Sequence, residues 1–174
     1  MTYSIVARDV LTGEMGVATQ SQAFAVGSSV PSALPGHGVI ATQSMAEPMY
    51  GSVGLDLLRG GFTAQEVLTA LSSVDPQPER RQVAVLGVNG DLAAYTGTSC
   101  VDAAGHVVGE SCVALANMAA SRPARAATTA RHISWSGSVT GPTAGAARAR
   151  GRRCPGRRRW PAGTRGRRRC SGTG

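Results

Sequence analysis

Thr2 is the residue that sequence alone best equips for chemistry. Threonine is small enough for a methionine aminopeptidase to remove Met1 ahead of it. One residue would then carry both a hydroxyl and a free α-amine. A free α-amine titrates near pH 7.7–8.0, so a useful neutral fraction exists at about pH 7. A neutral amine beside a hydroxyl is one of the ways a weak nucleophile is activated. The chemistry open to it is attack on a carbonyl carbon. The plain alternative is an ordinary first strand with a trimmed methionine. Other motifs offer less. Gly36 to Ala41 matches the dinucleotide pattern GxGxxA, which needs a strand before it and a helix after it. Here a loop marked by Pro31 and Pro35 precedes and a β-rich run follows, so a nucleotide site is not expected. Cys100, Cys112, Cys154 and Cys170 form no CxxC pair, and Cys100 and Cys112 read as reduced thiols rather than zinc ligands or a disulfide.

The elements that must position Thr2 begin with its own. Tyr3, Ile5 and Ala7 alternate with Ser4, Val6 and Arg8, which predicts a strand starting almost at the terminus. Leu11 to Glu14 reads as a turn and Gly16 to Gln20 as the returning strand of a hairpin. Ser21 to Ser29 is expected to end irregularly, and Gly38 to Gln43 is a third strand. From Gly51 the pattern becomes helical through Leu55, Leu57 and Leu58, until Gly60-Gly61 breaks it. Thr63 and Glu66 form a capping-box signature ahead of the apolar stripe Val67, Leu68 and Leu71, which ends at Asp75-Pro76. Gln82 to Val88 and Asp91 to Thr96 form a second hairpin, with Asn89-Gly90 suited to a type I′ turn. Strands, a helical layer and another hairpin predict an α+β domain rather than alternating βαβ units.

Charge divides the chain. All ten acids lie before residue 111, and residues 1–121 hold four arginines, a balance of −6. Residues 122–174 hold fourteen arginines and no acid, with Ile133, Trp135, Val139 and Trp160 as their only large apolar side chains. Such a stretch cannot bury enough surface to offset its ordering entropy. It reads as a disordered low-complexity tail, and the simultaneous loss of acids and aliphatics fits translation in a shifted reading frame. A basic tail also binds nucleic acid without sequence preference, through counterion release. No apolar run reaches the roughly 18–20 residues of a membrane span, and the N-terminus lacks a secretory signal, so a cytoplasmic location is expected.

One ordered series of residues carries a resemblance. It runs through Thr2-Tyr-Ser-Ile-Val-Ala-Arg-Asp9, Phe24-Ala-Val-Gly27, Ala41-Thr-Gln43, Tyr50-Gly51 and Gly54-Leu-Asp-Leu-Leu58. Arg81-Gln82-Val83, Thr96-Gly97, Cys100, Ala104-Gly-His106, Gly109 and Asn117-Met118 continue it. Together they resemble the bacterial family known as domain of unknown function 1028, over residues 2–120. That resemblance implies an N-terminal-nucleophile (Ntn) hydrolase-like αββα sandwich over residues 1–120, incomplete at its C-terminal end, with residues 121–174 as the tail.

The resemblance further implies Thr2 as catalytic nucleophile with its own amine as base, cleaving an amide of a small molecule or peptide. Asn117 is the implied donor to the oxyanion, against a structural role holding a turn. Ser21 and Gln43 are placed near the substrate, against roles at a sheet edge or loop. His106 is a substrate-site acid or base, or half of a Cys100–His106 pair, against a loop histidine held by hydrogen bonds. No cofactor or metal is implied. Gln22 departs from a position where the family is often basic. The alternatives from other classes are a noncatalytic Ntn-like binding or assembly domain and a nucleic-acid-associated protein. Expected partners are the amide substrate and nonspecific nucleic acid through the tail only. A homo-oligomer is left open, and no membrane is expected.

Overall fold

The computed structural model describes residues 1–119 and the backbone of 145–149. Its strands are β1 (Thr2–Arg8), β2 (Met15–Ser21), β3 (Pro31–Leu34), β4 (Gly38–Ser44), β5 (Arg81–Gly87), β6 (Leu92–Thr96), β7 (Gly105–Val108), β8 (Cys112–Asn117) and β9 (Gly145–Ala149). Helices α1 (Pro48–Arg59) and α2 (Ala64–Val74) separate β4 from β5. Two antiparallel sheets result, ordered β7-β8-β1-β2-β9 and β3-β4-β5-β6. The fold is α+β, and β1 lies at the centre of the first sheet.

Period-2 alternation explains the layers. Val6, Val17, Val39, Ala41, Ala84, Leu86, Val113 and Leu115 fill the space between the sheets. The other face of β4 and β5, with Ile40, Val83 and Val85, packs against Tyr50, Leu58, Val67, Leu68 and Leu71 of the helices. Covered on both sides, β5 is buried at all seven positions. On the far face of the first sheet Cys112 and Ala114 pack with Ile5 and Ala7, and no helix covers them among the described residues. Of the expected αββα sandwich the described residues show two sheets and one helical layer, and most of the basic tail lies outside those residues.

Local chemistry sets the element ends. Thr63 and Glu66 close the expected capping box, and Asp91 accepts from the Ala64 amide, bringing negative charge to the positive end of α2. Two local expectations are corrected. The segment opening at Pro31 is a short edge strand, tolerated because its proline is the first strand residue. The β5–β6 hairpin is not type I′, since only Gly90 (φ 88°) is left-handed and Asn89 is not; a four-residue connection relaxes the need for two such residues. β7 and β8 are strands beyond those expected from sequence, and α1 opens at Pro48, three residues before the helical pattern that starts at Gly51.

Gly97 follows β6 against main chain: a Cβ there would collide with the Glu79 carbonyl oxygen. Backbone cannot yield as a flexible side chain does. Gly97→Ala is therefore expected to cost about 1–3 kcal/mol, read as a lower urea midpoint at unchanged slope.

Candidate functional site

The inward positions of the strands follow one rule. They read Thr2-Ser4-Val6 on β1, Met15-Val17-Thr19-Ser21 on β2 and Val39-Ala41-Gln43 on β4. They read Gln82-Ala84-Leu86 on β5, Leu92-Ala94-Thr96 on β6 and Val113-Leu115-Asn117 on β8. Because neighbours are antiparallel, the starts of β1 and β5 lie beside the ends of β2, β4, β6 and β8. Thr2 pairs with Ser21 and Asn117, and Gln82 pairs with Gln43 and Thr96. One end of the intersheet space is thus apolar and the other polar.

At the polar end Thr2 Oγ1 and Ser21 Oγ are 2.9 Å apart, and Ser21 Oγ also accepts from the Ala23 amide at 3.1 Å. Ser4 Oγ lies 2.9 Å from Thr19 Oγ1 and donates to Gln43 Oε1. Gln43 Nε2 donates to Gln82 Oε1 at 2.8 Å, and Asn117 Nδ2 donates to the same oxygen at 3.1 Å. Gln82 Nε2 faces Thr96 Oγ1, Gly105 O and Ala116 O at 3.0–3.1 Å. Thr96 Oγ1 lies 2.8 Å from His106 Nδ1. The network joins both sheets, and its glutamines and asparagine are buried, so their amide groups bond to one another, to the Ser4 hydroxyl and to main-chain carbonyls.

Backbone conformation singles out the same end. Among the described residues the non-glycine positions with left-handed φ are Ala25, Ser44, Ala103 and Met118. Ser44 closes β4, Met118 follows β8, Ala25 follows β2 and Ala103 precedes β7, so all four surround the polar end. Each costs on the order of 1–3 kcal/mol, and such strain gathers at functional sites. The segment 97–104 is tied down here as well. The Val101 amide donates to Ser44 Oγ (3.1 Å), the Cys100 thiol to Arg81 O (3.1 Å) and the Met118 amide to Asp102 O (2.8 Å).

The structure brings together Thr2, Ser21 and Asn117. Gln43 sits deeper, on Ser4 and Gln82 rather than on Thr2. His106 is on the exposed edge strand β7, reaching Asn117 only through Thr96 and Gln82. Desolvation of its ring lowers its pKa, which favours neutral imidazole. A Cys100–His106 pair is not formed: the thiol donates to a main-chain carbonyl and the imidazole meets a hydroxyl. Burial raises the Cys112 thiol pKa, away from thiolate chemistry. His37 lies in the turn before β4, at the opposite end, with Nδ1 3.1 Å from Pro35 O. Among the described residues no three His, Cys, Asp or Glu side chains gather as a metal site requires. None of their helices is long and apolar enough to cross a membrane.

Sequence reasoning missed Ser4, Thr19, Gln82 and Thr96 as members of this site. Their signal is visible in hindsight: each is polar at an inward position whose same-face neighbours are apolar or also polar at the same strand end.

A model of the family described as "Family of unknown function (DUF1028)" matches residues 2–139. A crystal structure of a Silicibacter pomeroyi protein of that family superposes with a TM-score of 0.70 at 29% identity, covering 76% of this chain and 59% of that one. The chain thus spans about 59% of the length of that relative. A search of curated proteins finds no match.

Proposed function

The chain belongs to the DUF1028 family, and from that premise we propose that it is a cytoplasmic N-terminal-nucleophile amidohydrolase, built on an Ntn-like sandwich, with Thr2 as nucleophile. The observation that carries the reading is the place of Thr2. Its hydroxyl stands at the start of a central strand, hydrogen-bonded to Ser21 and opposite Asn117, in the polar end where the strained residues gather.

With Met1 removed, the neutral α-amine takes the proton of Thr2 Oγ1 as that oxygen bonds to the amide carbonyl carbon. The carbonyl π pair moves to oxygen, where an Asn117 Nδ2–H is the donor at hand. Collapse breaks the C–N bond, and the α-ammonium returns its proton to the leaving nitrogen. Water, deprotonated by the same amine, then attacks the Thr2 ester, releases the acid and restores the hydroxyl. Ser21 orients Thr2 Oγ1, and its own oxygen is held by the Ala23 amide.

A noncatalytic binding domain is the second reading, favoured by the way Gln43, Gln82 and Asn117 bond to one another rather than to Thr2. A nucleic-acid role through the tail lies outside the described residues. Mass spectrometry of the purified chain decides between the first two. The expected result is loss of Met1 and one adduct at Thr2 with a fluorescent β-lactone, whose ring opens to leave an acyl ester. Retained Met1, or a free Thr2 that forms no adduct, would establish the noncatalytic reading.

A further inference from the structure

Gln82 is fully buried, and its amide is where the two sheets and Asn117 meet. The direction of its hydrogen bonds follows from its partners alone. The Gly105 and Ala116 carbonyls, at 3.0 and 3.1 Å, can only accept, so the atom facing them must be the amide nitrogen. Oε1 is thereby turned to the other side, where Gln43 and Asn117 approach. Each must present its own NH2 to it, at 2.8 and 3.1 Å. Gln43 Oε1 is then left to receive the Ser4 hydroxyl proton.

We propose that Gln82 is a positioning residue of the Thr2 site. Backed by two main-chain carbonyls, its Oε1 accepts one Nδ2–H of Asn117 and locks that carboxamide in a single flip state. In that state the second Nδ2–H, not the carbonyl oxygen, is available to an oxyanion formed at Thr2. The inference rests on the reading of Thr2 as nucleophile. The flip matters because an amide oxygen turned toward an oxyanion repels it, whereas a preset N–H stabilises it without reorganisation.

Gln82→Glu tests the proposal, because it keeps the shape and replaces the donor with an acceptor. The introduced carboxylate would face two carbonyl oxygens, so the native state would hold the group protonated, with a pKa raised above its ordinary value of about 4.3. The unfolded chain then ionises first. Relative to the parent, the full-length variant is expected to keep a constant deficit in urea midpoint below about pH 4.3, since a carboxylic acid donates one hydrogen bond where the amide donates two, and to fall further behind as pH rises through the folded pKa. Once ionised, the group is pushed off the two carbonyls, and Asn117 loses the acceptor that fixes its flip. The rate of β-lactone labelling at Thr2, taken as variant over parent, should therefore fall by about a hundredfold over the same rise, the scale of one lost oxyanion donor. In the parent, NMR should show a nuclear Overhauser effect between the Asn117 and Gln43 side-chain amide protons, which point at one oxygen. A variant whose stability tracks the parent at every pH overturns the proposal, as does labelling at the parent's rate throughout. If the variant folds at no pH, the parent decides: the cross-peak supports the proposal and its absence overturns it. A parent that does not label overturns the nucleophile reading, and with it the role of Gln82 at the site. The cross-peak and the stability curve then still decide whether Gln82 directs the network.

Discussion

In a chain freed of Met1, Thr2→Ala is expected to abolish turnover of amide substrates and acylation by β-lactone probes. Alanine leaves the α-amine and the trimming of Met1 intact, so the variant removes the attacking oxygen and little else. The loss should be roughly 10⁴–10⁶-fold, the scale seen when one member of a concerted catalytic unit is deleted. Thr2→Ser keeps both hydroxyl and amine and should retain a measurable fraction. It will not retain all, because the γ-methyl of threonine restricts χ1 and helps hold Oγ1 toward Ser21. Labelling rate should rise with pH as the amine loses its proton near pH 7.7–8.0, an approximate reference value for a free α-amine. Activity that survives Thr2→Ala and disappears with Cys100→Ala would move the nucleophile to the thiol.

The largest expected effect on stability is at Asp75. Asp75 ends α2, its amide donating to Leu71 O at 3.1 Å, and its carboxylate takes two bonds from Arg81, Nε to Oδ2 at 2.7 Å and Nη2 to Oδ1 at 3.1 Å. Arg81 Nη1 also donates to Met45 O at 2.9 Å, so one guanidinium ties the helix end and the β4 exit to the first residue of β5. Both residues are buried. Asp75→Ala leaves the guanidinium only Glu47 as counter-charge, 3.9 Å away and partly exposed, and should cost about 3 kcal/mol, the lower end for breaking a buried pair. That is a large share of the roughly 5–15 kcal/mol typical of a domain. Loss of this anchor should also loosen Gln82, the next residue along β5.

The pH dependence has a definite sign. The hydrogen bonds from Arg81 hold the Asp75 pKa below its ordinary 3.8, against the opposing pull of burial. The contribution is therefore fully present above pH 3.8 and is lost as pH falls through the folded pKa. Urea midpoints of parent and Asp75→Asn should lie furthest apart near neutrality and converge in acid. A constant gap across that range would show that the charge of Asp75 is not what stabilises.

Sequence alone determined the features with local causes. The alternation of Tyr3 to Arg8 marked β1, the Thr63–Glu66 box marked the start of α2, and the apolar runs of β4 and β5 marked strands. It also singled out Thr2, because a hydroxyl one residue from the chain start needs no tertiary contact to be recognised. Only the tertiary structure decided what stands around Thr2. Asn117 stands opposite it because β8 pairs with β1 in one particular register, and the alternation that defines a strand says nothing about its partner or its offset. The polar inward residues of six strands fall at one end because every pairing is antiparallel, which no single strand can reveal. Gln82 shows the difference most plainly. In the sequence it is an ordinary polar residue opening an apolar strand. In the fold its buried amide must find partners, and the two carbonyls behind it fix which way the whole network points.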